Sequence, residues 1–158
     1  MTRDASMWLQ AALRMETAAQ DLYGELSIAF SENASLRRLF QRLAAEEEQH
    51  AMRIRLLQRH QGRSPWPRDV LERFCGQCDA MVAEVGILRK EFGPSPGAVD
   101  PRAVLRRLAE LEDRFCSSHA QDLARHAGPE VERVFATLAL QDSAHRDLIA
   151  AAMLPEVA

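Results

Sequence analysis

The stretch that decides the fold is LAAEEEQH, residues 43–50, in the middle of a long helical pattern. Apolar residues recur at helical spacing on both sides of it, from Phe40 to Ile54, so one face of this helix is predicted to be buried. Glu47 and His50 fall on that same face, three residues apart. A carboxylate and an imidazole are therefore expected inside the protein, where an ionised group needs a partner.

Glycine and proline residues divide the chain into five predicted helices, and no segment alternates as a strand would. The predicted helices cover residues 5–30, about 33–61, 68–92, 101–127 and 129–153. Short connections of about two to four residues join the first two and the last two helices, which makes each pair antiparallel. A long crossover, residues 62–100, links the pairs. We therefore predict an all-α, ferritin-like four-helix bundle of two antiparallel hairpins with a helical crossover, as a single domain over residues 1–158.

The two hairpins repeat each other weakly, and the repeat includes polar residues as well as apolar ones. Shifts of 95 and 96 residues give the following pairs: Glu47 with Asp142, His50 with His145, Glu16 with Glu112, and Tyr23 with His119. Amphipathic helices always align tolerably at their apolar positions. Acids that match acids, and a histidine that matches a histidine, are less easily explained that way.

Four acids are predicted to lie at one level of the bundle. At 1.5 Å of rise per residue, Glu16 and Glu47 lie about 22–24 Å from the turn between their helices, and the second hairpin gives the same result. No Lys or Arg shares these faces. Two divalent ions would balance four carboxylates, and carboxylate with imidazole suits iron or manganese rather than a thiolate zinc site. The predicted metal ligands are Glu16, Glu47, His50, Glu112, Asp142 and His145.

The alternative for these six residues is a metal-free bundle with a buried polar network. One acid-x-x-His pair arises easily by chance. The added requirements are a level acid on each partner helix and repetition across both hairpins. These requirements favour the metal site.

At these residues the sequence resembles the ferritin-like superfamily and, within it, the rubrerythrin-like proteins. The resemblance is carried by Glu16 with Tyr23, by residues 43–50, by Glu112 and by residues 142–145. It implies a binuclear centre of two iron ions, with manganese as the alternative and zinc as a crystallographic substitute. It also implies redox chemistry with peroxide or dioxygen. In such a centre Glu47 and Asp142 are candidates to bridge the metals, while Glu16 and Glu112 would each cap one.

The sequence departs from the rubrerythrin pattern at several points. Three cysteines do not supply a rubredoxin-type iron site, and Phe115 stands where rubrerythrins carry an extra Glu. Asp142 stands where Glu is usual, so we expect it to bridge less well or to leave one metal position weak. His119 stands where the repeat predicts a Tyr.

Tyr23 and His119 are our candidate catalytic residues. Tyr23 follows Glu16 by two helical turns, so it either hydrogen-bonds a ligand carboxylate or is a core tyrosine with a satisfied hydroxyl. His119 either orients a ligand or is a seventh ligand. Cys75 and Cys78 form a C-x-x-C pair on the crossover, which is either a redox pair or two small buried side chains.

Composition and charge exclude several classes of function. The chain carries 20 Lys and Arg against 23 Asp and Glu, a net charge of −3, which disfavours non-specific nucleic-acid binding. It has no apolar run of about 18 residues for a membrane span, and the polar N-terminus does not read as a secretion signal. We therefore expect a cytoplasmic protein. A homodimer is predicted from the apolar positions of the crossover, which are Val70, Leu71, Phe74, Met81, Val82, Val85, Ile87 and Leu88.

The leading functional hypothesis is an oxidoreductase that acts on peroxide or dioxygen, with an unidentified electron donor. A ferrous-iron oxidation or storage protein is the first alternative. A helical interaction module with a merely stabilising metal site is the second. A monooxygenase acting on a small apolar substrate is the third.

Overall fold

The computed structural model describes residues 3–60, 67–92, 99–119 and 128–154 of the chain. Over those residues it consists of five helices without a strand, which confirms the predicted all-α class. The helices are α1 (Arg3–Ala29), α2 (Ala34–His60), α3 (Arg68–Phe92), α4 (Pro101–His119) and α5 (Pro129–Ala152). The predicted end of the fourth helix, over residues 120–127, lies outside the described residues.

The helix starts follow from local sequence. The side-chain oxygen of Asn33 accepts a hydrogen bond from the Leu36 backbone N–H at 3.0 Å and so caps α2. Asp100 does the same for Arg102 at the start of α4, at 3.0 Å. Gly128 has φ of 101° just before α5, a left-handed conformation that glycine adopts without strain. Each start therefore lies close to its predicted position.

The helices pair as the connection lengths predicted. α1 packs along α2, and α4 packs along α5. The crossover helix α3 lies mainly on α1, while α2 with α5 and α3 with α4 make smaller contacts. None of the described helices is long and apolar enough to span a bilayer.

Two aromatic clusters lie on either side of the middle of the bundle. Trp8 of α1, Phe74 of α3 and Phe135 of α5 are in mutual contact, with ring centroids 5.4–6.3 Å apart. Towards the turn between α1 and α2, Tyr23 and Phe40 stack with centroids 6.5 Å apart. Because both clusters are buried, the polar layer between them is enclosed by hydrocarbon.

Most apolar positions of α3 are used inside the chain. Phe74, Met81, Val85 and Leu88 are buried, and of the remaining positions only Ile87 is largely exposed, at 57%. The described helix α3 therefore presents little unpaired apolar surface, and the homodimer stays a prediction.

Candidate metal centre

A polar layer crosses the bundle between the aromatic clusters. It contains seven residues that are at most 1% exposed, namely Glu16, Glu47, His50, Glu112, His119, Asp142 and His145. They come from four helices, so the six predicted ligands do converge, with His119 beside them. No Arg or Lys is buried anywhere in the part of the chain that the structure describes. The layer therefore has no cationic side chain other than its imidazoles.

Glu47 lies between the two acid-x-x-His imidazoles. Its Oε2 lies 3.2 Å from Nδ1 of His50, and its Oε1 lies 3.1 Å from Nδ1 of His145. The two imidazole rings face each other, with centroids 5.5 Å apart and planes 12° apart. Three further contacts involve these nitrogens: Glu16 Oε2 lies 3.2 Å and Asp142 Oδ1 lies 3.8 Å from the same His50 nitrogen, and Glu112 Oε2 lies 3.5 Å from the same His145 nitrogen.

These side chains form two groups whose ligand atoms lie within 4.8 Å of one another. The first group, which we call the His50 position, contains Glu16, Glu47 and His50. The second group, which we call the His145 position, contains Glu47, Glu112, Asp142 and His145. Only Glu47 belongs to both groups. The geometry therefore favours Glu47 as the carboxylate shared by both positions, whereas Asp142 groups with the His145 position and its Oδ1 lies 3.8 Å from Nδ1 of His50.

The hydrogen bonding of the layer bears on the choice between a metal site and a polar network. Five of the eight carboxylate oxygens are buried without a hydrogen-bond partner, namely Glu16 Oε1, Glu47 Oε1, Glu47 Oε2, Glu112 Oε2 and Asp142 Oδ1. Nδ1 of His145 also lacks one. Each of the five oxygens lies 2.8–3.8 Å from an imidazole nitrogen without completing a hydrogen bond, whereas buried polar atoms in folded proteins are nearly always hydrogen-bonded. Oxygen and imidazole nitrogen donors of this kind fit two divalent cations.

The electrostatics of the layer follow from burial and close contact. Burial raises the pKa of Glu47 to about 7, and the charges of Glu16 and Glu112 add to the rise against the opposing imidazoles. Burial alone would lower the pKa of both imidazoles. Instead the adjacent carboxylates raise the pKa of His50 to about 10 and that of His145 to about 11. Near neutral pH, protons on the imidazoles and partly on Glu47 therefore supply the countercharge that metal ions would replace.

Glu16 behaves differently from Glu47. Burial would raise its pKa, but contacts with His119 and His50 lower the pKa well below the usual value. Burial also raises the pKa of Glu112, with the negative charge of Asp142 adding to the rise against His145. Glu16 is therefore expected to be an anionic ligand throughout the physiological range.

Tyr23 and His119 reach the layer from opposite ends of the bundle. The Tyr23 hydroxyl donates a short hydrogen bond to Oε1 of Glu112. His119 Nε2 lies 2.8 Å from Oε1 of Glu16, and its Nδ1 bonds Oδ2 of Asp142 at 2.6 Å. Tyr23 of α1 thus contacts Glu112 of α4, and His119 of α4 contacts Glu16 of α1. Each residue therefore reaches across to the other hairpin. In this arrangement both contact carboxylates of the predicted ligands, and neither belongs to one of the two groups that could hold an ion.

Sequence reasoning gave no role to Glu46. Its Oε2 lies 2.7 Å from Nε2 of His145, and its Oε1 accepts from Arg42 at 2.7 Å. A carboxylate on the outer nitrogen fixes the tautomer of a ligating histidine and raises its basicity. The repeat counterpart of Glu46 is Gln141, which bonds Arg53 instead, and Nε2 of His50 has no partner. The repeat could have identified Glu46, because a charged residue on one side matches an amide on the other.

The cysteines do not belong to either ligand group of this layer among the described residues. Cys78 is buried and Cys75 half-buried, and both are free thiols. Burial raises the pKa of both thiols, which disfavours the reactive thiolate. No cysteine belongs to a metal-binding group in the described ranges. These findings favour two small packed side chains over a redox pair.

Comparison with known proteins gives one family match. The sequence model of the family described as Rubrerythrin matches residues 8–66, which include Glu16, Tyr23, Glu47 and His50. No curated protein and no solved structure gives a significant match. The match confirms the ferritin-like, rubrerythrin-like resemblance of the chain. Glu112, Asp142 and His145 lie beyond the matched segment, so their assignment rests on geometry.

Proposed function

Since the chain is a ferritin-like, rubrerythrin-like protein with a buried carboxylate and imidazole cluster, we propose that it is a binuclear iron oxidoreductase that reduces peroxide or dioxygen. Manganese is the alternative metal. The observation that carries the proposal is the set of five buried carboxylate oxygens that complete no hydrogen bond, although each lies within 3.8 Å of an imidazole nitrogen, with no buried Arg or Lys among the described residues.

Charge balance supports two ions rather than one. Four ionised carboxylates carry four negative charges, which two divalent cations neutralise. A single divalent ion would leave two uncompensated buried charges, or two carboxyl groups held in the protonated form. The two groups of ligand atoms that share Glu47 provide one position for each ion.

Two bound iron ions would supply the electrons that reduce the oxidant, since the metals carry the redox chemistry and the protein supplies position and charge. Glu47 would join the two positions through its two oxygens. Glu16 and His50 would complete one position, and the remaining three ligands would complete the other. Tyr23 fixes the Glu112 carboxylate through its hydroxyl, so the free oxygen of Glu112 stays directed at His145.

Burial of the layer restricts what can react there. All six proposed ligands are fully buried, and aromatic clusters close the layer on both sides. A small oxidant fits such a site better than an organic substrate does. Enclosure also strengthens the interaction of the carboxylates with bound cations, because water does not screen them.

The test is anaerobic loading with Fe(II), followed by addition of hydrogen peroxide. One peroxide accepts two electrons and two protons to form two water molecules, so two Fe(II) are oxidised per peroxide. We expect rapid oxidation at that ratio, recorded by near-ultraviolet absorbance, and its loss in Glu47→Ala. Oxidation no faster than that of free Fe(II) would contradict a peroxide-reducing role. Oxidation by dioxygen with iron accumulating beyond two ions per chain would favour the storage alternative.

A further inference from the structure

We propose that His119 makes the two metal positions unequal by holding Asp142 as a terminal ligand, so that Glu47 is the single bridging carboxylate. His119 acts here as a positioning residue. The inference rests on the proposed binuclear centre. It goes beyond that centre by assigning an order of binding to the two ions.

The two ring nitrogens of His119 engage acids from different hairpins. Nδ1 bonds Oδ2 of Asp142 at 2.6 Å, and Nε2 lies 2.8 Å from Oε1 of Glu16. Nε2 completes no hydrogen bond, but the Glu16 carboxylate oxygen lies at contact distance from it. A carboxylate that bridges two ions through both of its oxygens must direct both towards metal, and Oδ2 of Asp142 is already held by His119. Oδ1 is therefore the oxygen of Asp142 that stays free of hydrogen bonds, and it lies 3.8 Å from Nδ1 of His50.

Glu47 provides the contrast within the same layer. Both of its oxygens lack a hydrogen-bond partner, and each lies near a different imidazole, His50 at 3.2 Å and His145 at 3.1 Å. Asp142 occupies the corresponding place in the second hairpin with an arm one methylene shorter. The longer Glu47 side chain makes no hydrogen bond and reaches both positions. The shorter Asp142 side chain is hydrogen-bonded to His119.

The asymmetry between the two metal positions arises from the aromatic residue that lies seven positions after the acid of α1 or α4. This residue is Tyr23 in α1 and His119 in α4. A phenol has one O–H, and Tyr23 uses it on Glu112. An imidazole has a polar atom on each side of its ring, and His119 uses the first on Glu16 and the second on Asp142. The histidine at position 119 therefore has a second polar ring atom, which a tyrosine lacks. That atom contacts Asp142, the acid that would otherwise bridge.

The result is one position with four ligand residues and one with three. The His145 position is expected to fill first, because an ion there meets three carboxylates and an imidazole. The His50 position is expected to bind the second ion more weakly and to keep more of its coordination open. A small oxidant would therefore bind at the ion held by His50.

The experiment is calorimetric titration of the metal-free full chain with Mn(II). For the wild type we expect two binding steps that differ by about ten-fold or more in Kd, the size of effect typical of a residue that orients a ligand. His119→Tyr keeps one donor for Glu16 and removes the contact with Asp142, so the second step should tighten by about ten-fold. His119→Phe removes both contacts and should tighten the same step.

The control is Tyr23→Phe, which deletes only the hydroxyl that bonds Glu112. It should not tighten the second step, because Asp142 stays held by His119. Thermal melting of each metal-free variant shows whether the bundle is intact. The second binding step can be interpreted in either His119 variant, provided that this variant melts at the same temperature as the wild type. Where both variants fold, His119→Tyr decides the outcome.

Three results would overturn the inference. They are equal affinities for both ions in the wild type, an unchanged second step in the His119 variants, and tightening in His119→Phe but not in His119→Tyr. The last would place the effect on Glu16 instead of Asp142. Absence of Mn(II) binding in every protein would contradict the proposed binuclear centre itself, which distinguishes the two failures.

Discussion

The two hairpins build the same layer from the same pattern but differ in detail. The α1–α2 hairpin supplies Glu47, with both oxygens free, whereas the α4–α5 hairpin supplies Asp142, with one oxygen held. The outer nitrogen of His145 contacts the carboxylate of Glu46, and the outer nitrogen of His50 has no hydrogen-bond partner. The comparison teaches that helical register places the ligands. The neighbours of each ligand then decide what each oxygen and nitrogen can do.

The largest expected effect separates the bridging acid from its counterpart. Glu47→Ala removes a ligand from both positions and should weaken binding of both ions by more than the roughly 100-fold upper range for residues that only orient ligands. Asp142→Ala should weaken only the ion at the His145 position. Metal analysis after purification with iron, together with Mn(II) titration, measures both effects.

Glu48→Ala is the matched control, because Glu48 is an exposed acid on the same helix. It should retain two ions per chain. Equal losses in Glu47→Ala and Asp142→Ala would mean that the two hairpins contribute alike, and the distinction between a bridging and a terminal acid would be wrong.

The pH dependence of metal binding comes next in size. The pKa values of His50 and His145 are raised to about 10 and 11, so both imidazoles are protonated at pH 7 and must lose their protons to ligate. The affinity for metal should therefore rise with pH. If about two protons are released when both ions bind, the overall binding constant for the two ions rises by about 100-fold per pH unit. Calorimetry in buffers of different ionisation enthalpy counts the protons. Affinity that is flat between pH 6 and 8 would contradict the charge state assigned to the layer.

The outer contact of His145 offers a finer comparison between the halves. Glu46→Gln removes the carboxylate from Nε2 of His145 and should weaken the ion at that position by about 10- to 100-fold. Gln141→Ala alters the repeat counterpart, which contacts Arg53 and no imidazole, and should leave both binding steps unchanged. A similar loss in both variants would mean that these residues act through the general stability of the bundle.

The smallest expected effect concerns the crossover, which contributes no ligand. Cys78→Ala shortens a buried side chain and should cost about 1 kcal/mol of unfolding free energy, or a fall in Tm of about 2–4 °C. Metal content should stay at the wild-type value. Thermal melting and metal analysis on one preparation measure both quantities. A fall in metal content would mean that Cys78 contributes to metal binding.

Much of this architecture is predictable from spacing alone. Gly62, Pro65 and Gly128 mark helix boundaries, and connection length determines which helices become antiparallel neighbours. The convergence of Glu16 with Glu47 follows from rise per residue, because both are counted from one turn. These inferences depend on backbone geometry, which the local sequence largely determines.

The finer features of the site depend on side-chain direction across hairpins. Spacing places His119 near the layer but does not tell that its two nitrogens meet Glu16 and Asp142. The same holds for Glu46, whose carboxylate crosses from α2 to His145 on α5. Such contacts are determined by rotamers and by the depth at which two hairpins meet, and neither leaves a periodic signal in one sequence.

A crystal structure of the iron-loaded protein, with anomalous scattering recorded at the iron edge, tests the central claim most directly. Two peaks per chain are predicted on either side of the Glu47 carboxylate, one beside His50 and the other beside His145. A single peak, a peak outside the layer, or a layer closed by hydrogen bonds among its own acids and imidazoles would contradict the binuclear centre.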